Sequence, residues 1–424
     1  MTPAARLAAA IDLITEIEAA PQRPADAVVN AFFRNRRYIG SGDRRAVSAR
    51  AWTILRAWRR LDWWLRAHAT PRLRAAGSLL LEGWTLDGVQ QAFSGARYAP
   101  TSLTPAEAAR LRALEGRTLE HPDMPQAVRL EMPEWLLPQL AERFGPRLET
   151  ETRALLAEAP LDLRVNTLKA TRDEARAALA AEGIAAEPTP LSPWGLRVAG
   201  RLPVITGPGF RNGLVEIQDE GSQLVALLAD ARPGMRVADW CAGAGGKTLA
   251  LAAAMQNRGH IVACDVSAAR LDAAVRRLRR AGVHNVERHL TEPDDRWAKR
   301  RARSFDRVLV DAPCTGTGTW RRNSDARLRL MEADLHELTA KQAAILDAAA
   351  PLCRTAGRLV YATCSLLPAE NENQVNAFLT RYPEFRRVPP AVVWPGAPAG
   401  DELHLTPARH GTDGFYCAIL ERAA

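Results

Sequence analysis

Asp239-Trp240-Cys241-Ala242-Gly243-Ala244-Gly245-Gly246-Lys247-Thr248 follows a short apolar run beginning at Arg236 and opens an Ala/Leu-rich stretch ending near Met255. Strand, glycine turn and helix in that order make the first unit of a parallel sheet. The glycines let the backbone approach a ligand closely, and the N-terminus of the following helix favours anionic groups. The rhythm continues downstream. It predicts strands over 260–265, 307–311 and 357–362 and helices over 268–281 and about 333–352, with a helix over 222–231 before the loop. The pattern is that of an α/β doubly wound, Rossmann-like domain. Ligands of such sheets bind outside the carboxyl ends of the strands. Gly243, Asp265, Asp311 and Cys364 all fall at or just past those ends.

The loop narrows the ligand. Asp265 ends the strand after it, where a carboxylate can accept from ribose hydroxyls, so any adenosine-bearing cofactor fits. The G-x-G-x-x-G fingerprint is not matched. Gly246-Lys247-Thr248 does match the end of a P-loop, and Val308-Leu309-Val310-Asp311 resembles its partner strand. That motif then demands glycine at the position of Cys241, which weakens a phosphate cradle. A P-loop NTPase acting with RNA is the main rival reading.

Two thiols share the predicted rim. Cys314 follows Asp311-Ala312-Pro313, and Cys364 follows Tyr361-Ala362-Thr363. A free thiol ionises near ~8.5, so a cysteine nucleophile needs help from its surroundings. One such residue is ordinarily inert packing, as Cys264, Cys353 and Cys417 are read. Two at neighbouring strand ends beside a nucleotide-type loop point to chemistry. None of the six cysteines forms a C-x-x-C pair, and the eight histidines show no metal-ligand spacing, so no metal site is expected. Lys247 is one of only four lysines, the others being Lys169, Lys299 and Lys341, in a chain rich in arginine.

Upstream the pattern is helical. Leu7, Ile11, Ile14 and Ile17 recur at helical spacing, and Val47 to Leu65 reads as one amphipathic helix carrying Trp52, Leu55, Trp58 and Leu61. The tryptophans read as core. The cluster Arg36-Arg37-Tyr38 with Arg44-Arg45 is of the kind that contacts an RNA backbone. Pro122, Pro125 and Pro133 mark a linker, after which Asp162 to Lys169, a helix over 171–182 and strands near Leu196 and Val215 form a small α+β module. The expected division is 1–135, 136–220 and 221–424.

The chain has 424 residues, 47% of them hydrophobic, and a net charge of +9. A basic surface favours an anionic partner such as nucleic acid. Asp12, Glu16 and Glu18 interrupt the first apolar stretch, so a secretory signal and a membrane span are not expected, and a cytoplasmic, monomeric enzyme is.

Taken in order, Arg164-Val165-Asn166-Thr167-Leu168-Lys169, Gln218-Asp219, the glycine loop, Asp311-Ala312-Pro313-Cys314, Arg321-Arg322-Asn323-Ser324-Asp325, Ala362-Thr363-Cys364-Ser365 and Asp413-Gly414-Phe415-Tyr416 resemble the RsmB-like (Sun) branch of RNA cytosine-5 methyltransferases. The resemblance implies a NusB-like RNA-binding domain at the N-terminus, S-adenosyl-methionine as cofactor and RNA as substrate. Small-subunit ribosomal RNA is the foremost substrate, with transfer RNA as competitor and a non-catalytic assembly protein as a further alternative. It implies that Cys364 attacks carbon 6 of cytosine, that Cys314 assists release, and that Asp311, with Lys247, contacts the base. Cys241, Ala242, Gly243, Ala244, Gly245, Gly246, Lys247, Asp265 and Asp311 would hold the cofactor, with Glu292, or alternatively Asp294, at its adenine end. The family loop usually carries Ala-Pro where Gly243-Ala244 stands here, which makes this loop more flexible.

Overall fold

The computed structural model describes residues 1–200, 202–292 and 296–423. Two compact units divide them: one takes Met1–Ala157 with Trp320–Met331, the other Glu158–Thr319 with Glu332–Ala424. These units differ from the expected three domains. The segment 136–157 and the excursion 320–331 both group with the helical residues.

The helical unit begins with the helices Pro3–Glu18, Ala25–Asn35, Ser41–Arg56, Trp58–Leu65 and Pro71–Leu81. Thr2 and Thr70 accept from backbone N–H groups in the first turns of the first and fifth helices, a cap contributing about 1 kcal/mol. Leu13, Ile14, Phe32 and Ile54 are fully buried in one core. Trp52 joins them, as expected, while Tyr38 is 76% exposed. The single helix expected from Val47 to Leu65 is broken at Ala57 (φ −118°, ψ 17°). The cause is distant in sequence: the buried Glu131 carboxylate accepts from the backbone N–H groups of Arg59 at 2.9 Å and Arg60 at 3.0 Å. It thereby caps a new helix start.

The motif Arg321 to Asp325 lies in this unit. Asp325 accepts from the backbone N–H of Ala25 at 3.0 Å. The neighbouring Arg327 is fully buried, and burial lowers its pKa to about 10 while its guanidinium donates to the Leu55 carbonyl at 3.2 Å.

The second unit holds two sheets. The smaller contains β1 (Leu161–Val165), β2 (Ala186–Pro188), β3 (Gly195–Val198) and β4 (Val215–Ile217) in the order β2-β3-β1-β4, all antiparallel. The helix Arg172–Ala181 accompanies it, begun by a Thr171/Glu174 capping box. The larger contains β5 (Arg236–Asp239), β6 (His260–Asp265), β7 (Val286–Leu290), β8 (Phe305–Asp311), β9 (Cys353–Thr363), β10 (Phe385–Val388), β11 (Leu403–Leu405) and β12 (Phe415–Arg422). Its order is β10-β12-β9-β8-β5-β6-β7, with β11 paired to β12. The strands β5 to β9 pair in parallel; β12 runs antiparallel to β9. Helices cover the parallel strands, so Val308, Leu309 and Val310 are all fully buried, each worth roughly 2 kcal/mol of apolar transfer. This is a Rossmann-like fold with an antiparallel edge. Its strand ends line up Asp239, Asp265, Asp311 and Thr363 along one rim.

Candidate active site

A cavity of about 860 Å³ opens at that rim, lined among others by Trp240, Gly243, Asp265, Val266, Asp311, Cys314 and Cys364. Its size is that of a small-molecule site. The glycine loop shapes one wall. Gly243 (φ 55°) and Gly245 (φ 79°) take the left-handed conformation, which other residues adopt only at a cost. Gly245 also passes close to the next helix: a Cβ there would lie 3.1 Å from that of Ala274. The helix Gly246–Ala254 starts directly behind the turn. From β1, the buried Arg164 donates to the Gly246 carbonyl at 2.8 Å and to the Gln218 side chain.

Asp265 is held by the turn it serves. Its carboxylate accepts from the N–H groups of Gly243 and Ser267, both at 2.8 Å. Each oxygen keeps lone-pair capacity for a ribose hydroxyl. Beside it Val266 stands 73% exposed on the cavity wall, an apolar face suited to covering by a purine. This rim fits an adenosine-bearing cofactor. Glu292 is exposed and is not among the lining residues; Thr291, tied by its N–H to the Asp265 carbonyl at 2.9 Å, lines the cavity instead. Asp294 lies outside the described residues. Gly245, Gly246 and Lys247 are not among the lining residues.

Below the loop the charges are paired. Lys247 is nearly buried and donates to Asp311 at 2.5 Å. Burial works against its charge, but the Asp311 carboxylate prevails and holds the ammonium above its ordinary range. The Phe415 ring lies 5.6 Å from the same nitrogen, within cation–π reach. A P-loop lysine reaches for phosphate, whereas this one is turned inward onto Asp311. Asp239, fully buried, accepts from the Thr248 hydroxyl at 2.6 Å, and burial pushes its carboxyl up to about 6. Burial, then the carboxylates of Asp311 and Asp239, push the Cys241 thiol upward, so Cys241 lines the cavity as a neutral thiol.

The two predicted thiols meet. Cys314 Sγ and Cys364 Sγ are 3.4 Å apart, both half-buried on the cavity wall and neither in a disulfide. The hydrogen bond to Cys364, then burial, raise Cys314 well above the ordinary thiol range. Gly316 (φ 68°) leaves the space beside Cys364: a Cβ there would lie 4.0 Å from its sulfur. Gly318 and Gly414 pack backbone to backbone, Gly318 donating to the Cys364 carbonyl at 2.9 Å and Gly414 to the Gly318 carbonyl at 2.8 Å. A Cβ on Gly414 would lie 2.7 Å from the Gly318 Cα, which accounts for the glycine after Asp413.

Sequence reasoning missed three of the four residues behind the thiols; the fourth, Ser365, belongs to the Ala362–Ser365 motif read above. Glu370, Gln342, Asn371 and Ser365 are buried polar side chains wrapped around both cysteine turns. Their only signal was closeness to Cys364 in sequence, and Gln342, on a long helix, had none. Val266 and Lys341 also line the cavity unforeseen.

Comparison with known proteins agrees with this geometry. The family model described as 16S rRNA methyltransferase RsmB/F matches residues 226–421, and the ferredoxin-like domain of the same family matches 132–205. Ribosomal RNA small subunit methyltransferase B of Photorhabdus laumondii is 34% identical over 293 residues, 68% of this chain and 66% of that protein. The probable enzyme of that name from Synechocystis is 37% identical over 304 residues, 69% of this chain and 67% of that one. The crystal structure of PH0851 superposes with a TM-score of 0.79 at 27% identity, covering 100% of this chain and 99% of that one. The chain therefore belongs to the RsmB/F family of methyltransferases, and its cofactor is S-adenosyl-methionine.

Proposed function

We propose that this protein methylates carbon 5 of cytidine in RNA, with small-subunit ribosomal RNA as the substrate, through a covalent bond between Cys364 and carbon 6 of the base. The observation that carries the reading is the thiol pair at 3.4 Å on the wall of the cofactor cavity, next to the Lys247–Asp311 pair. The ribosomal substrate is supported by the names its relatives carry.

The cofactor supplies an electrophilic methyl group. The residues prepare its acceptor. The Cys364 thiolate adds to carbon 6, and the displaced electron pair makes carbon 5 nucleophilic, splitting one hard step into easier ones. Asp311, oriented by Lys247, hydrogen-bonds the polar edge of the cytosine ring. After transfer, Cys314 removes the proton from carbon 5. The carbon–sulfur bond then breaks and returns Cys364 as a thiolate. The target base must leave any stack to reach the cavity. In this reading residues 1–135 form a NusB-like RNA-binding domain, 136–220 a pre-catalytic module and 221–424 the methyltransferase domain, acting as a monomer in the cytoplasm.

The test is methyl transfer from labelled S-adenosyl-methionine to total RNA of cells lacking the protein. Label in 5-methylcytidine of small-subunit ribosomal RNA is expected. Label in transfer RNA would reassign the substrate, and label in another nucleoside would refute the chemistry.

A further inference from the structure

Each cysteine turn is pinned on both sides, and two of the pins, Glu370 and Asn371, are neighbours in sequence. Around Cys314, Gln342 donates to the Pro313 carbonyl at 2.9 Å, and Glu370 accepts from the Thr315 N–H at 2.8 Å and the Thr315 hydroxyl at 2.5 Å. Gln342 also donates to Glu370 at 3.0 Å, joining the two pins. Around Cys364, the Asn371 side chain accepts from the Thr363 hydroxyl at 2.5 Å and donates to the Ser365 carbonyl at 2.9 Å. Ser365 Oγ lies 3.3 Å from Thr315 Oγ1 and 3.2 Å from Thr317 Oγ1, so the turns are also stitched to each other. Glu370 is fully buried and Asn371 almost so. The Tyr361 hydroxyl fixes the Glu370 carbonyl at 2.7 Å.

We propose that Glu370 and Asn371 are a positioning pair. Asn371 holds the Cys364 turn and Glu370 the Cys314 turn, which together set the spacing of the two thiols and place a carboxylate on the Cys314 side of the pair, leaving Cys364 the more reactive thiol. This rests on the cysteine chemistry proposed above.

The carboxylate of Glu370 meets only donors: an N–H, a hydroxyl and an amide NH₂. That is the environment of an ionised acceptor. Its charge lies on the Cys314 side and opposes ionisation of that thiol. On the other side, the Lys247 ammonium and the Cys364 sulfur interact favourably. Opposite charges on opposite flanks give two chemically identical thiols different roles. The asymmetry also changes in sequence: once Cys364 is bonded to carbon, its hydrogen bond and charge no longer hold the proton on Cys314. Its proton can then pass to solvent water, and the resulting Cys314 thiolate is available as a base.

Two thiol probes test this on the intact protein without RNA or cofactor, so failure of the RNA reading leaves the result interpretable. Limiting iodoacetamide, with the alkylated sites read by mass spectrometry, reports which thiol ionises. Cys364 is expected to react first in the unaltered protein, and Glu370→Gln should cut the Cys364:Cys314 ratio about tenfold. Phenylarsine oxide, which bridges two close thiols with loss of water, reports their spacing. It should bind the unaltered protein, bind Cys314→Ala far more weakly, and bind Asn371→Ala about tenfold more weakly than the unaltered protein. A purely structural role for Glu370 would leave the alkylation ratio unchanged in a folded Glu370→Gln protein, and that result overturns the proposal. Should the variants not fold, equal alkylation of Cys314 and Cys364 in the unaltered protein overturns it as well.

Discussion

Lys247 and Asp311 are 64 positions apart in sequence and 2.5 Å apart in space, one on the helix after the glycine loop and one at the end of β8. The pair is lopsided: the lysine side chain is 9% exposed and the aspartate 30%. Removing either partner strands the other, and a stranded charge costs most where water is furthest away. Asp311→Asn leaves the buried ammonium and should lower unfolding stability by about 3 kcal/mol. Lys247→Met leaves the wetter carboxylate and should cost less. Urea unfolding of both variants at neutral pH checks the order, and a larger loss for Lys247→Met would contradict it.

The thiol pair predicts opposite behaviour from two similar variants. Cys364→Ala should abolish methyl transfer and leave cofactor binding intact, since the nucleophile is gone and the loop is untouched. Cys314→Ala should still form the covalent bond but fail to resolve it, and a protein–RNA adduct resistant to denaturation should accumulate. Electrophoresis of the labelled complex separates these outcomes. An adduct from Cys364→Ala instead would reverse the two roles.

Much of this site is visible in the chain itself. Strands β5, β6, β8 and β9 are apolar runs punctuated by glycine or proline, and their last residues fall on the rim because parallel strands share a direction. Gly243, Asp265, Asp311 and Cys364 are read at or just past the strand ends for that reason. What the chain conceals are partners supplied from afar. The break at Ala57 depends on Glu131, 71 positions beyond Arg60, and no local propensity announces it. Glu370 and Asn371 look like an ordinary polar helix start, and only the fold turns them toward the thiols. Arg321 to Asp325 sits between the two cysteine segments in sequence yet belongs to the helical unit. Spacing along the chain likewise favoured Glu292 for the cofactor, whereas the register of β7 beside β6 leaves Thr291 at the cavity and Glu292 in solvent.

Asp265 offers a cleaner handle on the cofactor than the glycines do. Its carboxylate is preset by two backbone N–H groups, and hydrogen bonds to a charged acceptor contribute about 1.5–3 kcal/mol. Asp265→Ala should therefore weaken S-adenosyl-methionine binding by roughly 10- to 100-fold, with RNA affinity unchanged. Calorimetric titration with S-adenosyl-homocysteine measures the first and filter binding the second. Unaltered cofactor affinity would remove Asp265 from the site.

Asp239 predicts a pH dependence of stability with an unusual sign. Its folded pKa is raised to about 6 from an ordinary 3.8, chiefly by burial. Between those two values the folded protein binds the extra proton, so this group's contribution falls as pH rises. The stabilisation is fully present below 3.8 and is lost through about 6. Above that, the native state carries an ionised carboxylate whose Oδ1 has no hydrogen-bond partner. A shift of about two units corresponds to roughly 3 kcal/mol. Asp239→Asn keeps the shape and cannot titrate. Its stability relative to the unaltered protein should therefore improve by roughly 3 kcal/mol between pH 4 and pH 7.5. The comparison cancels the titration of groups that the two proteins share. Denaturant midpoints at both pH values measure it, and a difference that stays flat, or that shrinks as pH rises, would show that Asp239 is ionised throughout and stabilised by its neighbours.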